Sequence, residues 1–400
     1  MKTIDTLKKL IREEIESAIG SNIGIEIMTL PEFLKSSLNE AEGDLLGAPT
    51  STVSDKDMAD YLKRSVDKEK TAGEKYSMPY VHSGNVEIKD QDGREINTAA
   101  LKKLLKTRPD RILKQNEKLA HSGGGYVQFF NIGLPALKGL AVNEKTDEFV
   151  VVDTCPGAGV CKIYCYARKG GYVQWKNSSL HQSKVLNMLL NDPEGFKAKL
   201  SAEISALKKD FKEDDGTVSK IKNVIRWHDA GDFFSPQYLE LAYSIARKFP
   251  DVDFYAYTKI ASVAQGNKPD NFLINFSMGA KKEEEKKIDF TKTKSSIVVQ
   301  KDLFQDLLAM IDTGKKGGKP SYERDEKGRA KFKDENSEIE LKKRISAKYG
   351  VPVSSLLTYD ELQKTPESDE VAKYNVIVRP KDGDDSASRS DVLGTYLLIH

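Results

Sequence analysis

What this 400-residue chain has little of narrows its identity first. It carries three cysteines and two tryptophans, and aromatic residues make up 8% of it. An odd and small number of cysteines argues against a disulfide framework and for a reducing, cytoplasmic compartment. No run approaches the roughly 20 consecutive apolar residues of a membrane-spanning helix, so no membrane partner is expected. The opening stretch, MKTIDTLKKLIREEIESAIG, has neither a central apolar block nor a small-residue cleavage site, which speaks against a secretory signal. Charge of one sign is missing too: 63 Lys and Arg face 61 Asp and Glu, a formal +2. That balance lacks the basic excess of a protein that lives on phosphate backbones, although a local basic face stays open.

Charged residues make up 31% and hydrophobic ones 38%, with a mean hydropathy of −0.52. One sizeable core with charged segments around it is therefore expected. Residues 1–122 read as an N-terminal helical accessory region. Ile4, Leu7, Leu10, Ile11, Ile15 and Ala18 recur at helical spacing, and a weak helix is expected near Met58–Val66. Thr98–Leu119 repeats Leu101, Leu104, Leu105 and Ile112 among lysines and arginines, either a solvated basic face or a nucleic-acid contact.

Residues 123–313 read as an α/β core. Six strands are expected at Phe149–Thr154, Asn223–His228, Val252–Thr258, Phe272–Met278, Ser296–Gln300 and Asn375–Arg379. Helices are expected over Ser179–Leu190 and Pro193–Phe211. Another runs from the capping pair Ser235-Pro236 to Phe249. Strands alternating with helices imply βαβ units, here an α/β fold in the form of an open partial (β/α)6 barrel with mainly parallel strands. Residues 314–346, rich in charge and poor in apolar anchors, read as a mobile insertion. Residues 347–400 return to complete the core.

All three cysteines fall in Thr154-Cys155-Pro156-Gly157-Ala158-Gly159-Val160-Cys161-Lys162-Ile163-Tyr164-Cys165, a C-x5-C-x3-C spacing. Pro156, Gly157 and Gly159 let the backbone fold back so that Cys155, Cys161 and Cys165 can converge as metal ligands. Three thiolates suit zinc or an iron–sulfur cluster. A closed zinc site needs a fourth ligand, which would have to be a histidine. A [4Fe–4S] cluster on three cysteines leaves one iron open. The loop follows an expected strand, and the carboxyl ends of strands are where parallel α/β folds gather their active sites.

A second constellation, Arg226-Trp227-His228-Asp229-Ala230-Gly231-Asp232-Phe233, is a strand, a glycine turn and a helix start. Gly231 permits close backbone approach, and Asp232 sets a carboxylate at the sheet edge. If the strand runs through His228 and Asp229, alternation points them to opposite faces. A third strand ends in Tyr257-Thr258-Lys259, with Tyr257 and Lys259 on one face, and a fourth offers Asn275 and Ser277. No Walker loop, HExxH, GxSxG or Rossmann fingerprint is present.

The cysteine loop, with Tyr164 just before its last cysteine, resembles the radical SAM signature, although the spacing in that family is usually C-x3-C-x2-C. The Gly231-Asp232 turn resembles that family's Gly-Gly-Glu element. The resemblance implies a [4Fe–4S] cluster, S-adenosylmethionine as cofactor and an electron donor as partner. It also implies that Gly231 and Asp232 hold the cofactor's amino group, that Tyr164 lies by its adenine, and that Asn275 and Ser277 meet its ribose or adenine.

Over roughly residues 115–300 the ordered set Asn116–Leu119, Cys155–Ala167, Arg226–Phe233 and Phe254–Lys259 resembles the bacteriophage gene product 88 family. A phage origin, and so the host cytoplasm, follows from that resemblance. A further cysteine cluster near the C-terminus, frequent in the family, has no counterpart in Arg379–Ser386. The other reading of the chain is a zinc-binding phage protein that contacts nucleic acid or a protein without catalysis.

Overall fold

The computed structural model describes residues 45–57, 98–115, 126–165, 167, 178–311, 321–380, 382–383 and 385–398. The expected helices over Ile4–Ala18 and Met58–Val66, and the Asn116–Leu119 stretch, lie outside them. Eleven strands frame the site. They are β1 (Thr50–Val53), β2 (Val127–Ile132), β3 (Lys138–Asn143), β4 (Glu148–Asp153), β5 (Lys222–Trp227), β6 (Val252–Thr258), β7 (Phe272–Ser277), β8 (Ser295–Val299), β9 (Leu356–Thr358), β10 (Tyr374–Val378) and β11 (Val392–Leu398).

Eight of these form one open, wholly parallel sheet in the order β9-β10-β11-β8-β7-β6-β5-β2. The open α/β architecture is as expected, with eight parallel strands rather than six. The strand expected at Phe149–Thr154 is not among them. As β4 it pairs antiparallel with β1 and β3 in a separate three-stranded sheet. Its neighbour β3 is an edge strand whose backbone is met by side chains: Asn187 Oδ1 accepts from Val142 N–H at 2.8 Å and Asn191 Nδ2 donates to Val142 O at 2.9 Å. Such cover removes the edge's capacity to template further pairing.

The helices are α1 (Thr98–Lys106), α2 (Cys161–Tyr164), α3 (Ser178–Asn191), α4 (Pro193–Ser205), α5 (Pro236–Lys248), α6 (Ala261–Gln265), α7 (Glu335–Tyr349) and α8 (Tyr359–Lys364). Asp192 caps α4, accepting from Gly195 N–H at 2.9 Å, and Ser235 caps α5, accepting from Tyr238 N–H at 3.2 Å; a proline at the start of each helix needs no donor.

One face of β5–β7 packs on the helices through Ile225, Trp227, Phe254, Ala256, Phe272 and Ile274. The Phe254 and Phe272 rings stack at 5.8 Å, with Trp227 6.0 Å from Phe272. Each buried ring contributes on the order of 2–3 kcal/mol. The other half of the sheet, through Ile297, Ile377, Tyr396 and Leu398, packs on Leu341 and Ile345 of α7.

Two organisational expectations change. Residues 1–122 are not wholly an accessory region, because β1 completes the small sheet, Leu101 and Leu105 of α1 pack on Leu140 and Phe149, and Ile112 and Leu113 join the main core. Of the expected mobile insertion at 314–346, the described part is folded. Helix α7 is capped by Asp334, which accepts from Ser337 N–H at 2.8 Å, and Arg329 pairs with Asp325, Asp360 and Asp382. Among the described residues no helix is long and apolar enough to cross a membrane.

Candidate functional site

Strand β5 stops at Trp227 because His228 turns into the left-handed region, φ 71°. A buried side-chain-bearing residue holds that conformation only where its surroundings fix it. Tyr238 does so here: its hydroxyl accepts Trp227 Nε1–H at 2.9 Å and lies 2.7 Å from His228 Nε2. Burial pushes the imidazole pKa down to about 3, so the ring is neutral and Nε2 accepts the tyrosyl proton. The alternation expected to part His228 from Asp229 thus ends before it reaches them. Gly231 is left-handed as well, φ 89°, and a Cβ there would stand 2.7 Å from Leu134 Cβ. Only glycine closes this turn.

Asp232 ties three segments together. Its N–H donates to Thr154 O at 2.7 Å, where the cysteine loop begins. Its Oδ1 accepts from Phe233 N–H at 2.7 Å and from the Thr258 hydroxyl at 2.8 Å, and Oδ2 accepts from Lys259 N–H at 2.8 Å. The residue is 3% exposed. Burial raises its carboxyl to about 6, against the pull of these hydrogen bonds and of the Lys259 charge.

The cysteine loop is laced to this frame at both ends. Thr154 and Cys155 N–H donate to Leu137 O at 2.9 and 3.2 Å, and Leu137 N–H donates back to Cys155 Sγ at 3.3 Å. Beyond the glycines, Gly159 and Cys161 N–H share Gly279 O, each at 3.1 Å, and Lys281 N–H donates to Gly157 O at 2.9 Å. The contact is backbone on backbone. A Cβ at Gly157 would stand 2.4 Å from Lys259 O, and one at Gly159 would stand 1.9 Å from Ala280 O. The loop therefore lies across the carboxyl ends of β5, β6 and β7, the edge expected from sequence, although it arrives there from the antiparallel strand β4.

All three cysteines are half-buried. Burial, then the Asp232 charge, pushes the Cys155 thiol up; the Leu137 N–H opposes this, and Cys165 and Cys161 add to it. Burial also pushes Cys161 up, the Lys259 ammonium draws it back, and Cys165 and Asp232 raise it again. Both shifts favour the protonated thiol, so a metal bound here would have to displace those protons. Cysteine sulfur is the donor type that a thiophilic metal or cluster takes. Among the described residues no three His, Cys, Asp or Glu side chains stand close enough to grip an ion as they are.

The other residues singled out from sequence divide. Ser277 meets the Lys259 side chain: its Oγ accepts from Lys259 Nζ at 2.8 Å. Asn275 sits deeper, 1% exposed, with Nδ2 donating to Ala256 O and Ala387 O at 3.2 Å and Oδ1 without a hydrogen-bond partner. Tyr164 ends α2, and its ring lies outside the described set. Sequence reasoning missed the Gly279–Lys281 segment that receives the loop. Its signal in the sequence is a glycine two residues past the end of β7, and in the structure Gly279 is left-handed at φ 87°.

A family model described as Gene product 88 matches residues 104–348, taking in the cysteine loop, the Gly231-Asp232 turn and the Lys259 strand end. The chain belongs to the gene product 88 family. The match is wider than the residues 115–300 that carry the resemblance in sequence. Two relatives, each called Gene 88 protein, come from mycobacteriophages. That of Mycobacterium phage L5 is 30% identical over 181 residues, 43% of this chain and 67% of the relative. That of Mycobacterium phage D29 is 32% identical over the same shares. No solved structure matches. The gene product 88 match thus spans every residue of the candidate site.

Proposed function

We propose that this gene product 88 protein is an iron–sulfur enzyme of the radical S-adenosylmethionine type, acting in the host cytoplasm. One observation carries the reading: the loop that holds Cys155 and Cys161, with Cys165 four residues on, is fastened by backbone hydrogen bonds across the carboxyl ends of adjacent parallel strands. Cys155, Cys161 and Cys165 would hold a [4Fe–4S] cluster, three thiolates leaving one iron open. Such a centre supplies one-electron reductive cleavage of S-adenosylmethionine to an organic radical, the electron coming from an external donor. The chain's own residues hold and orient. Gly231 keeps the turn beside Leu134 close enough for Asp232 to reach both the loop and β6, and Asp232 places a carboxylate charge beside the sulfurs. The unpartnered Oδ1 of Asn275 is an acceptor suited to a ribose hydroxyl or adenine amine, and Tyr164 neighbours the last cysteine.

A zinc site would need a fourth ligand, and His228 is instead held against Tyr238 and Phe233. Nucleic-acid binding by α1 is disfavoured because Lys102 and Lys106 pair with Asp147 and Arg108 pairs with Glu144. The test is paramagnetic resonance of the reduced, reconstituted protein. S-adenosylmethionine should change the spectrum, and its cleavage with dithionite should yield 5′-deoxyadenosine. A spectrum indifferent to the compound, with no cleavage, would refute the radical type.

A further inference from the structure

Lys259 sits at the end of β6 against the cysteine loop, and none of the roles above uses its side chain. Its ammonium donates to Ser277 O at 3.1 Å, Ser277 Oγ at 2.8 Å and Met278 O at 2.8 Å. Those carbonyls immediately precede Gly279, whose own oxygen receives the Gly159 and Cys161 N–H groups. The backbone of Lys259 is engaged as well. Its N–H is held by Asp232 Oδ2, and its carbonyl packs against Gly157 so closely that a Cβ there would meet it at 2.4 Å. One residue therefore touches both glycines' docking sites, its main chain at Gly157 and its side chain through the turn at Gly159.

We infer that Lys259 is the positioning residue of the cysteine loop: its ammonium pins the Ser277–Gly279 turn on which Cys161 hangs and fixes a positive charge beside the thiolates. The inference rests on the thiolate-centre reading for its second half only. Three donors on three oxygens satisfy the ammonium's full hydrogen-bonding capacity, so its position is set by geometry and not by a mobile counterion. A cation held beside a thiolate-bound cluster favours the reduced, more negative form. It thereby eases electron entry from a donor. The charge of Asp232, whose carboxylate accepts from the Lys259 N–H, opposes this at Cys155. The two together make the local field a matter of which charge lies nearer each sulfur.

The test uses the full chain with Lys259→Met, which keeps the stem and removes the charge, and Lys259→Arg, which keeps the charge. In metal-free protein, hydrogen exchange at the Gly159 and Cys161 amides should speed up at least tenfold in Lys259→Met, while the β5 amides stay protected. In reconstituted protein the midpoint potential should fall in Lys259→Met and stay near wild type in Lys259→Arg. Unchanged exchange together with an unchanged potential overturns the inference. If Lys259→Met does not fold, Ser277→Ala, which removes one of the three acceptors, should still raise exchange at Cys161, and no rise overturns it. Failure of wild type to take up iron and sulfide would refute the iron–sulfur reading, while the exchange result would still decide the positioning role.

Discussion

Gly159→Ala should detach the cysteine loop. The new methyl would stand 1.9 Å from Ala280 O, 2.4 Å from the carbonyl carbon and 2.7 Å from Lys281 N, all backbone atoms that no rotamer change can move. The loop has to lift, and with it go the Gly159 and Cys161 bonds to Gly279 O and the Lys281 bond to Gly157 O. Losing three such bonds costs about 3 kcal/mol. On the proposed thiolate centre, nearly all bound metal should be lost as well, since the segment that carries Cys161 leaves its dock at Gly279. The control is Gly216→Ala, where a Cβ meets nothing within 4 Å and only the left-handed φ of 87° opposes it. That change should cost about 1 kcal/mol and leave metal content untouched. Chemical denaturation and metal analysis of both variants check the pair.

Asp232→Ala should be the most damaging single change outside the cysteines. It leaves the Phe233 and Lys259 amides and the Thr258 hydroxyl without an acceptor in a site 3% exposed. The expected loss is about 3–5 kcal/mol. The carboxyl also makes stability depend on pH, and the sign follows from its raised value. Burial holds it near 6 in the folded chain, against about 3.9 when unfolded. The folded state therefore binds the proton more tightly. That contribution is fully present below about pH 4 and is lost as pH rises through 6, by about 3 kcal/mol in all. Asp232→Asn, which cannot titrate, should show a flatter stability profile between pH 4 and 7. A wild-type profile already flat over that range would contradict the burial argument.

Much of the frame was legible because its signals are local. The capping pair Ser235-Pro236 and the aromatic runs of β5, β6 and β7 each announce an element within a few residues. Strand β4 misled for a physical reason. Its Phe149–Val152 run is buried on both faces, between Leu101 and Leu105 of α1 on one side and the main core on the other. Continuous burial is the mark of a parallel strand, but a helix laid on each face of an antiparallel one produces the same sequence. Helix α7 was read as mobile because its contact with the core is only the narrow stripe Ser337, Leu341 and Ile345. The cap at Asp334 and the left-handed Gly350 that ends it were the clues. At the site, the cysteines and the Gly231-Asp232 turn could be read from spacing. The Gly279–Lys281 dock could not, because the partnership between two loops more than 110 residues apart leaves no periodic trace in either.

The measurement that bears most directly on the central claim is iron, sulfide and zinc content after anaerobic reconstitution with iron and sulfide. The proposed three-thiolate site predicts about four iron and four sulfide per chain for a [4Fe–4S] centre, a brown protein, and none of either in the Cys155→Ala, Cys161→Ala, Cys165→Ala triple variant. A chain that holds one zinc and no iron, or a triple variant that keeps its iron, would contradict it.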